Sequence, residues 1–269
     1  LAWKDKIHNF SYYIMPNFAF ARNKIVDMNE APVAYNYMKR TGTKIGSYYC
    51  LKADGLFSSW EEINDPSTPK YMYGDIQPGD IKYIDQNNDG YIDDNDMIYV
   101  KDQYQNIPEI NYGVMIGGEY EGFDLSIYGY GMAHRTVNTR TSFNGAYIDG
   151  IGNLSTNAWN NRWAYYPEQG IDTRDKATYP RLSIGSNSNN WRNSTFWLKN
   201  GDFFRISNIT LGYSLPGTLT NKWNAHKVRF HFTVTNPFIF DNLYGEDAEG
   251  RMDGYPMMRT YKLGLNFNF

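Results

Sequence analysis

The feature that most constrains this chain is a set of long two-residue alternations. Ile110, Tyr112, Val114, Ile116, Gly118 and Tyr120 share one parity, with Asn111, Gly113, Met115, Gly117 and Glu119 on the other. Successive side chains of an extended strand point to opposite faces, so this pattern predicts a strand with one apolar face and one polar face. Phe123, Leu125, Ile127, Gly129 and Ala133 repeat it after Glu121-Gly122, a two-residue hairpin signal. Phe10 to Phe20, Val228 to Val234 and Tyr261 to Phe269 alternate in the same way. A sixth candidate, Phe203 to Tyr213, changes parity between Ile206 and Ile209, which predicts a bulge. Pro16 interrupts the first strand by removing a ladder donor.

The connections narrow the architecture. A long stretch from Val26 to Pro108 is followed by the tight Glu121-Gly122 turn, and a long polar stretch from Arg135 to Ser194 by the shorter link from Ser214 to Lys227. The last runs from Pro237 to Met258. Such alternation of longer and shorter connections belongs to an outer-membrane barrel, with short turns on the periplasmic side and long loops outside. Ten residues rising about 3.3 Å each, tilted by about 40°, climb roughly 25 Å, the height of the lipid-facing band. Six strands are too few to close, since the smallest such barrels have about eight. The expectation is therefore an all-β C-terminal portion, residues 1–269, whose earlier strands precede Leu1. Periodicity alone equally fits a β-sandwich with one face on a core.

Composition agrees with a β-protein and excludes other classes. Aromatic residues make up 17% of the 269, while charged residues make up only 20%, and a net charge of −3 lacks the basic footprint of a nucleic-acid binder. The lone Cys50 rules out an intrachain disulfide or a cysteine-based zinc cage. No apolar run is long enough for a membrane-spanning helix. Leu1 to Asp5 has no signal-peptide pattern, so a mature or internal piece is expected.

The sharpest local motif runs from Asp85 to Asp96, within an acidic segment spanning 80–100. Oxygen side chains of Asp85, Asn87, Asp89, Asp93 and Asp96 fall at positions 1, 3, 5, 9 and 12, with Gly90 at 6 and Ile92 at 8. This is the EF-hand loop spacing, in which alternate side chains wrap toward one Ca²⁺ and the Tyr91 carbonyl supplies position 7. Asp at the last position reaches less far than Glu, so the expected ion is structural and modestly bound; a solvated turn without metal has the same residues. His8, His134, His226 and His231 are scattered, adjacent Glu61 and Glu62 read as solvated, and no nucleophile elbow or phosphate loop occurs, so no catalytic centre is expected. The loop aromatics Trp159, Trp163, Tyr165, Tyr166, Trp191 and Trp197 suit either stacking on sugar rings or packing of the loops and interfacial girdle, with packing the better fit for most. Tyr261, Leu263, Leu265, Phe267 and Phe269 read as a closing strand and barrel-insertion signal.

Several stretches resemble the C-terminal part of SusC/RagA-like TonB-dependent transporters of Bacteroidetes. They are Gly79 to Asp85, Thr178 to Ser183, Trp197 to Ile206, Thr210 to Pro216 and Arg259 to Tyr261, in an order that extends from Trp3 to Phe269. Asn88 stands where the family often has Gly, and Asn236-Pro237 where Asn-Leu is common. The resemblance implies a 22-stranded barrel with long extracellular loops and an N-terminal plug, embedded in bacterial outer-membrane lipid. It further implies oligosaccharide or peptide cargo, energy coupling to TonB through plug residues absent here, and a SusD-like surface lipoprotein over the loops around Asp85 and Trp159. A secreted, Ca²⁺-dependent carbohydrate-binding sandwich is the competing reading. A glycoside hydrolase ranks last, because no pair of carboxylates can be nominated.

Overall fold

The computed structural model describes residues 1–101, 104, 106–140, 154–185, 187–243, 247–249, 255 and 257–269. The chain forms two compact units: Leu1–Ala21 with Pro108–Arg135 and Gly201–Phe269, and Arg22–Ile107 with Thr136–Asn200.

The first unit is an antiparallel meander of seven strands, each paired with its neighbours in chain order: β1 (Trp3–Ile7), β2 (Phe10–Phe20), β3 (Ile110–Tyr120), β4 (Phe123–Ala133), β5 (Phe203–Ser214), β6 (Lys227–Asp241) and β7 (Thr260–Asn268). Six of these follow the alternations. The seventh, β1, escapes them because Asp5 occupies the apolar parity between Trp3 and Ile7. It adds one more tight turn, so short and long connections alternate along the whole unit. The Glu121-Gly122 turn takes positive φ at both residues (47° and 87°), the primed geometry that matches strand twist.

Register decides which residues share a face. One row crosses all seven strands as Trp3, Ile14, Ile116, Ile127, Ile209, Val234 and Tyr261. The adjacent row, on the other face, runs Lys4, Tyr13, Gly117, Ser126, Thr210, Thr233 and Lys262. A one-residue slip of any strand would exchange these faces, so the apolar pattern pins the register.

The parity change in β5 is a bulge. Asn208 pairs with Tyr128 but Ile206 with Gly129, leaving Ser207 extra against β4. On the other side β6 answers with two residues, Asn236 and Pro237, between Thr235 and Phe238. Asn236 turns the chain at φ 52°, and Pro237, which has no N–H to donate, sits where the ladder is already interrupted. The strand therefore continues to Asp241 rather than ending before Pro237. Pro16 lies two residues beyond Ile14, the last residue of β2 in register with β1.

The second unit has its own apolar core. Leu51, Ile81 and Ile92 are each at most 1% exposed and pack with Tyr83, Ala158, Tyr179 and Trp197, while the fully buried Phe57 sets its ring edge-on to Tyr71 at 5.6 Å. Each such aliphatic or aromatic side chain contributes about 1.5–3 kcal/mol by leaving water. Among the described residues, two-stranded ladders and short helices frame this core, including Ala53–Leu56 paired with Ile81–Tyr83 and a parallel pair of Lys70–Tyr71 with Tyr91–Ile92. Side-chain hydrogen bonds complete what so little regular structure leaves unpaired.

Candidate functional site

The wall itself is the first functional feature. Its apolar parity is uncovered: Phe18 (70%), Ile116 (45%), Phe232 (40%) and Leu263 (87%) stand exposed on four different strands. In β7, Tyr261, Leu263, Leu265 and Phe267 are exposed on that face, and the ring of Phe269, just past the strand, lies tilted against Phe267 with centroids 4.8 Å apart. An exposed apolar patch this extensive marks a surface that meets something other than water.

The acidic loop folds through its own side chains. The Asp85 carboxylate accepts from the Asn88 and Gly90 N–H groups at 2.6 and 2.9 Å. Asn87 accepts from Asp89 N–H, Asp89 from Tyr91 N–H and Asp93 from Asn95 N–H, each two residues on. Asp96, fully buried, closes the loop by accepting from Gln86 and Asp93 N–H, both at 2.8 Å. Burial pushes the Asp96 carboxyl above the usual carboxylate range, and the charges of Asp85 and Asp93 push it further, against the two backbone donors that lower it. Gly90 takes φ 82°, and Asn88 takes φ 57°, the left-handed region that Gly occupies at no steric cost. Ile92 is fully buried in the core of the second unit. The donor set is the hard-oxygen type that Ca²⁺ takes. Among the described residues, however, no three His, Cys, Asp or Glu side chains are placed to hold a metal as they stand.

Next to this loop, the family-like motif residues form a buried polar network. Asp80 is 0% exposed. One carboxylate oxygen accepts from Asn187 and Asn190 at 2.9 and 2.8 Å and lies 2.7 Å from Arg181 Nε; the other accepts from Gln77 N–H at 2.8 Å and from Arg181 Nη2 at 3.3 Å. Asn190 and Asn189 in turn bond the Ile81 backbone N–H and C=O, in place of a further strand. Gly79 sits at φ 89°, where a Cβ would lie 2.6 Å from the Trp163 ring. These residues hold segments about a hundred positions apart, and the only sequence signal of that was their place in the family motifs.

The loop aromatics divide. Trp191 packs into the core, edge-on to Trp197 at 5.3 Å with the Arg140 guanidinium over its face. Trp159 is half exposed on the short helix Thr156–Asn161, with Arg162 stacked on it. Trp163, Tyr165 and Tyr166 line a cleft of about 580 Å³ together with Trp60, Arg174 and Arg181. Trp60 was not anticipated as part of it. Arg174 lies 3.8 Å from the Tyr165 ring centroid and grips Asp172 with two bonds, which hold that carboxyl below its usual range. Both cleft arginines are thus already paired, and the cleft offers ring faces beside the Glu61 carboxylate, which hydrogen bonds from Ser59 and its own backbone hold below its usual range. Cys50 is buried, which pushes its thiol up to about 12 and leaves it an inert core residue.

A meander of long antiparallel strands, apolar and uncovered on one face and polar on the other, is the wall architecture of a transmembrane β-barrel. No helix among the described residues is long and apolar enough to cross a membrane. No family model matches the chain. Curated relatives include TonB-dependent receptor P3 of Formosa agariphila, 23% identical over 289 residues that cover 97% of this chain and 27% of the relative. TonB-dependent receptor SusC of Bacteroides thetaiotaomicron is 23% identical over 273 residues, covering 97% of this chain and 25% of its own. The chain therefore spans about a quarter of the length of the curated relatives it matches. Among solved structures, the RagAB peptide importer in its open-open state superposes with a TM-score of 0.66 at 18% identity, over 100% of this chain and 28% of that one. The resemblance to SusC/RagA-like TonB-dependent transporters, first carried by short motifs, is borne out along nearly the whole chain.

Proposed function

We propose that this chain is part of the wall and outer loops of a bacterial outer-membrane importer that takes up oligosaccharide or peptide nutrients. The observation that carries the reading is the uncovered apolar row from Trp3 to Tyr261 beside a polar row on the opposite face. Lipid accepts the first face and a water-filled lumen the second, and backbone groups in lipid must all be paired. A carbohydrate-binding sandwich would bury the apolar face under a second sheet, so it is the weaker reading. Energy would arrive through TonB acting on parts of the protein outside these residues. A SusD-like surface lipoprotein would sit over the loops around Asp85 and Trp159, and the ringed cleft beside Tyr165 would serve cargo or that partner. Catalysis has no role in this reading. Calcium would be structural: with Asp85, Asn87, Asp89, Asp93, Asp96 and the Tyr91 carbonyl drawn together, it would offset the like charge gathered around buried Asp96.

Membrane fractionation of the full-length protein tests the core of this. Extraction only with detergent, and a shift in gel mobility on boiling, are expected; a freely soluble protein would refute it. Co-purification of a lipoprotein that survived deletion of both loops would remove the partner assignment alone.

A further inference from the structure

The final connection of the first unit returns to the sheet's polar face. Arg205, 3% exposed, is held by two carboxylates: Nη2 lies 2.5 Å from Asp247 Oδ1 and Nε 3.0 Å from Glu249 Oε2. Tyr130, directly opposite Arg205 in register, donates its hydroxyl to Glu249 at 2.6 Å. Arg135 donates to the Ala248 carbonyl, and Ala248 is 1% exposed beneath these contacts. Arg205 and Tyr130 stand on two central, well-paired strands, β5 and β4. The acceptors belong to no strand and form a small turn of their own, with Glu249 N–H on Asp247 Oδ1 at 3.0 Å.

A guanidinium in a protein wall keeps its charge, so a buried one requires an anion. Donors fixed on paired strands, facing two carboxylates that no strand carries, make the arrangement of a receptor with a ligand in place, with the fork of Arg setting direction. We propose that Arg205 and Tyr130 form a carboxylate-receiving site on the channel-facing wall, filled here by the chain's own Asp247 and Glu249 and taken over by an acidic cargo. This rests on the importer reading, in which the polar face lines the path. The chemistry required is two closely spaced carboxylates, which either a polyuronate oligosaccharide or an acidic peptide supplies. The chain's own pair acts as a competitor that keeps the site closed to neutral solutes and to single carboxylates.

Calorimetric titration of the detergent-purified full-length transporter tests this with three probes: tetragalacturonate, a hexapeptide rich in glutamate, and neutral maltotetraose. In the Asp247→Asn/Glu249→Gln protein, removal of the internal competitor should tighten one acidic probe by about tenfold or more while leaving the neutral probe unchanged. Adding Tyr130→Phe, a substitution that keeps the ring, should reverse part of that gain. The acidic probe that tightens names the source, saccharide or peptide. Equal tightening of all three probes, or of none, would overturn the inference. Gel mobility before and after boiling, measured on the same material, separates the two readings: a heat-modifiable barrel with flat titrations refutes the carboxylate site and leaves the importer standing.

Discussion

Ile116 offers the most direct test of which face meets lipid. It lies one residue from the middle of β3, flanked in register by Ile14 and Ile127, and is 45% exposed. Four residues separate Ile116 from Tyr120, the last of the strand, so at about 3.3 Å rise and 40° tilt it stands roughly 10 Å from that end and close to the middle of an apolar band about 25 Å high. An arginine there meets the bilayer midplane and costs about 2–4 kcal/mol. That corresponds to a roughly 30- to 1,000-fold fall in the folded-to-unfolded ratio. The same substitution at Phe123, beside the tight turn, reaches headgroups and costs about 0–1 kcal/mol. At Ser126, on the polar row, it stays within about 0.5 kcal/mol, the ordinary range for a surface change. Equilibrium unfolding of full-length protein in lipid vesicles reads all three. Depth dependence is the discriminating feature, because a dry protein core would penalise Ile116→Arg with no reason to spare Phe123→Arg. A flat profile, or a larger cost at Ser126, would refute the assignment of faces.

Three other outcomes follow from the second unit. Asp80→Asn leaves the partly exposed Arg181 without its counter-charge and breaks the buried acceptor of Asn187 and Asn190, which should cost roughly 1–3 kcal/mol locally, read as faster amide exchange at Ile81–Tyr83; unchanged exchange would deny the network its structural role. Asp96 has a raised carboxyl pKa, so its ionised form is penalised above that value and the penalty disappears on acidification below the ordinary 3.8. Protons and Ca²⁺ therefore compete for the same oxygens: protection of the loop amides from hydrogen exchange by Ca²⁺ should weaken as pH falls through this interval and be lost in Asp96→Asn, whereas protection independent of both would exclude the ion. Cys50, with its thiol pushed up to about 12, should resist alkylation at pH 8 until the protein is denatured, and rapid labelling of the native protein would contradict its burial.

The strands were readable because their physics is local. Apolar and polar residues alternating from Ile110 to Tyr120 suffice for a two-faced strand, Glu121-Gly122 for the turn, and the parity change after Ile206 for a bulge. The reading failed where local cues conflicted with pairing. Asp5 hid β1, and Pro237 was taken as a strand end, although a proline is tolerated where the bulge had already broken the ladder. The acidic spacing was equally plain, since a wrapping loop needs its side chains at set intervals, yet only the fold revealed that Asp96 is buried and that backbone N–H groups already occupy the carboxylates.

Contacts between distant segments were beyond any pattern in the chain. Nothing near Asp80 announces Arg181 and Asn190, nor does Arg205 announce Asp247 and Glu249, because ion pairs and amide bonds have no period along the sequence. Trp163 and Trp191 look alike in sequence, yet one lines a cleft and the other fills a core. Alternation by itself determined that this protein makes long two-faced ribbons, since that follows from the geometry of one strand. Which polar groups are buried together, and what each aromatic touches, was decided only when the chain closed on itself, because those energies exist only between segments that tertiary structure brings into contact.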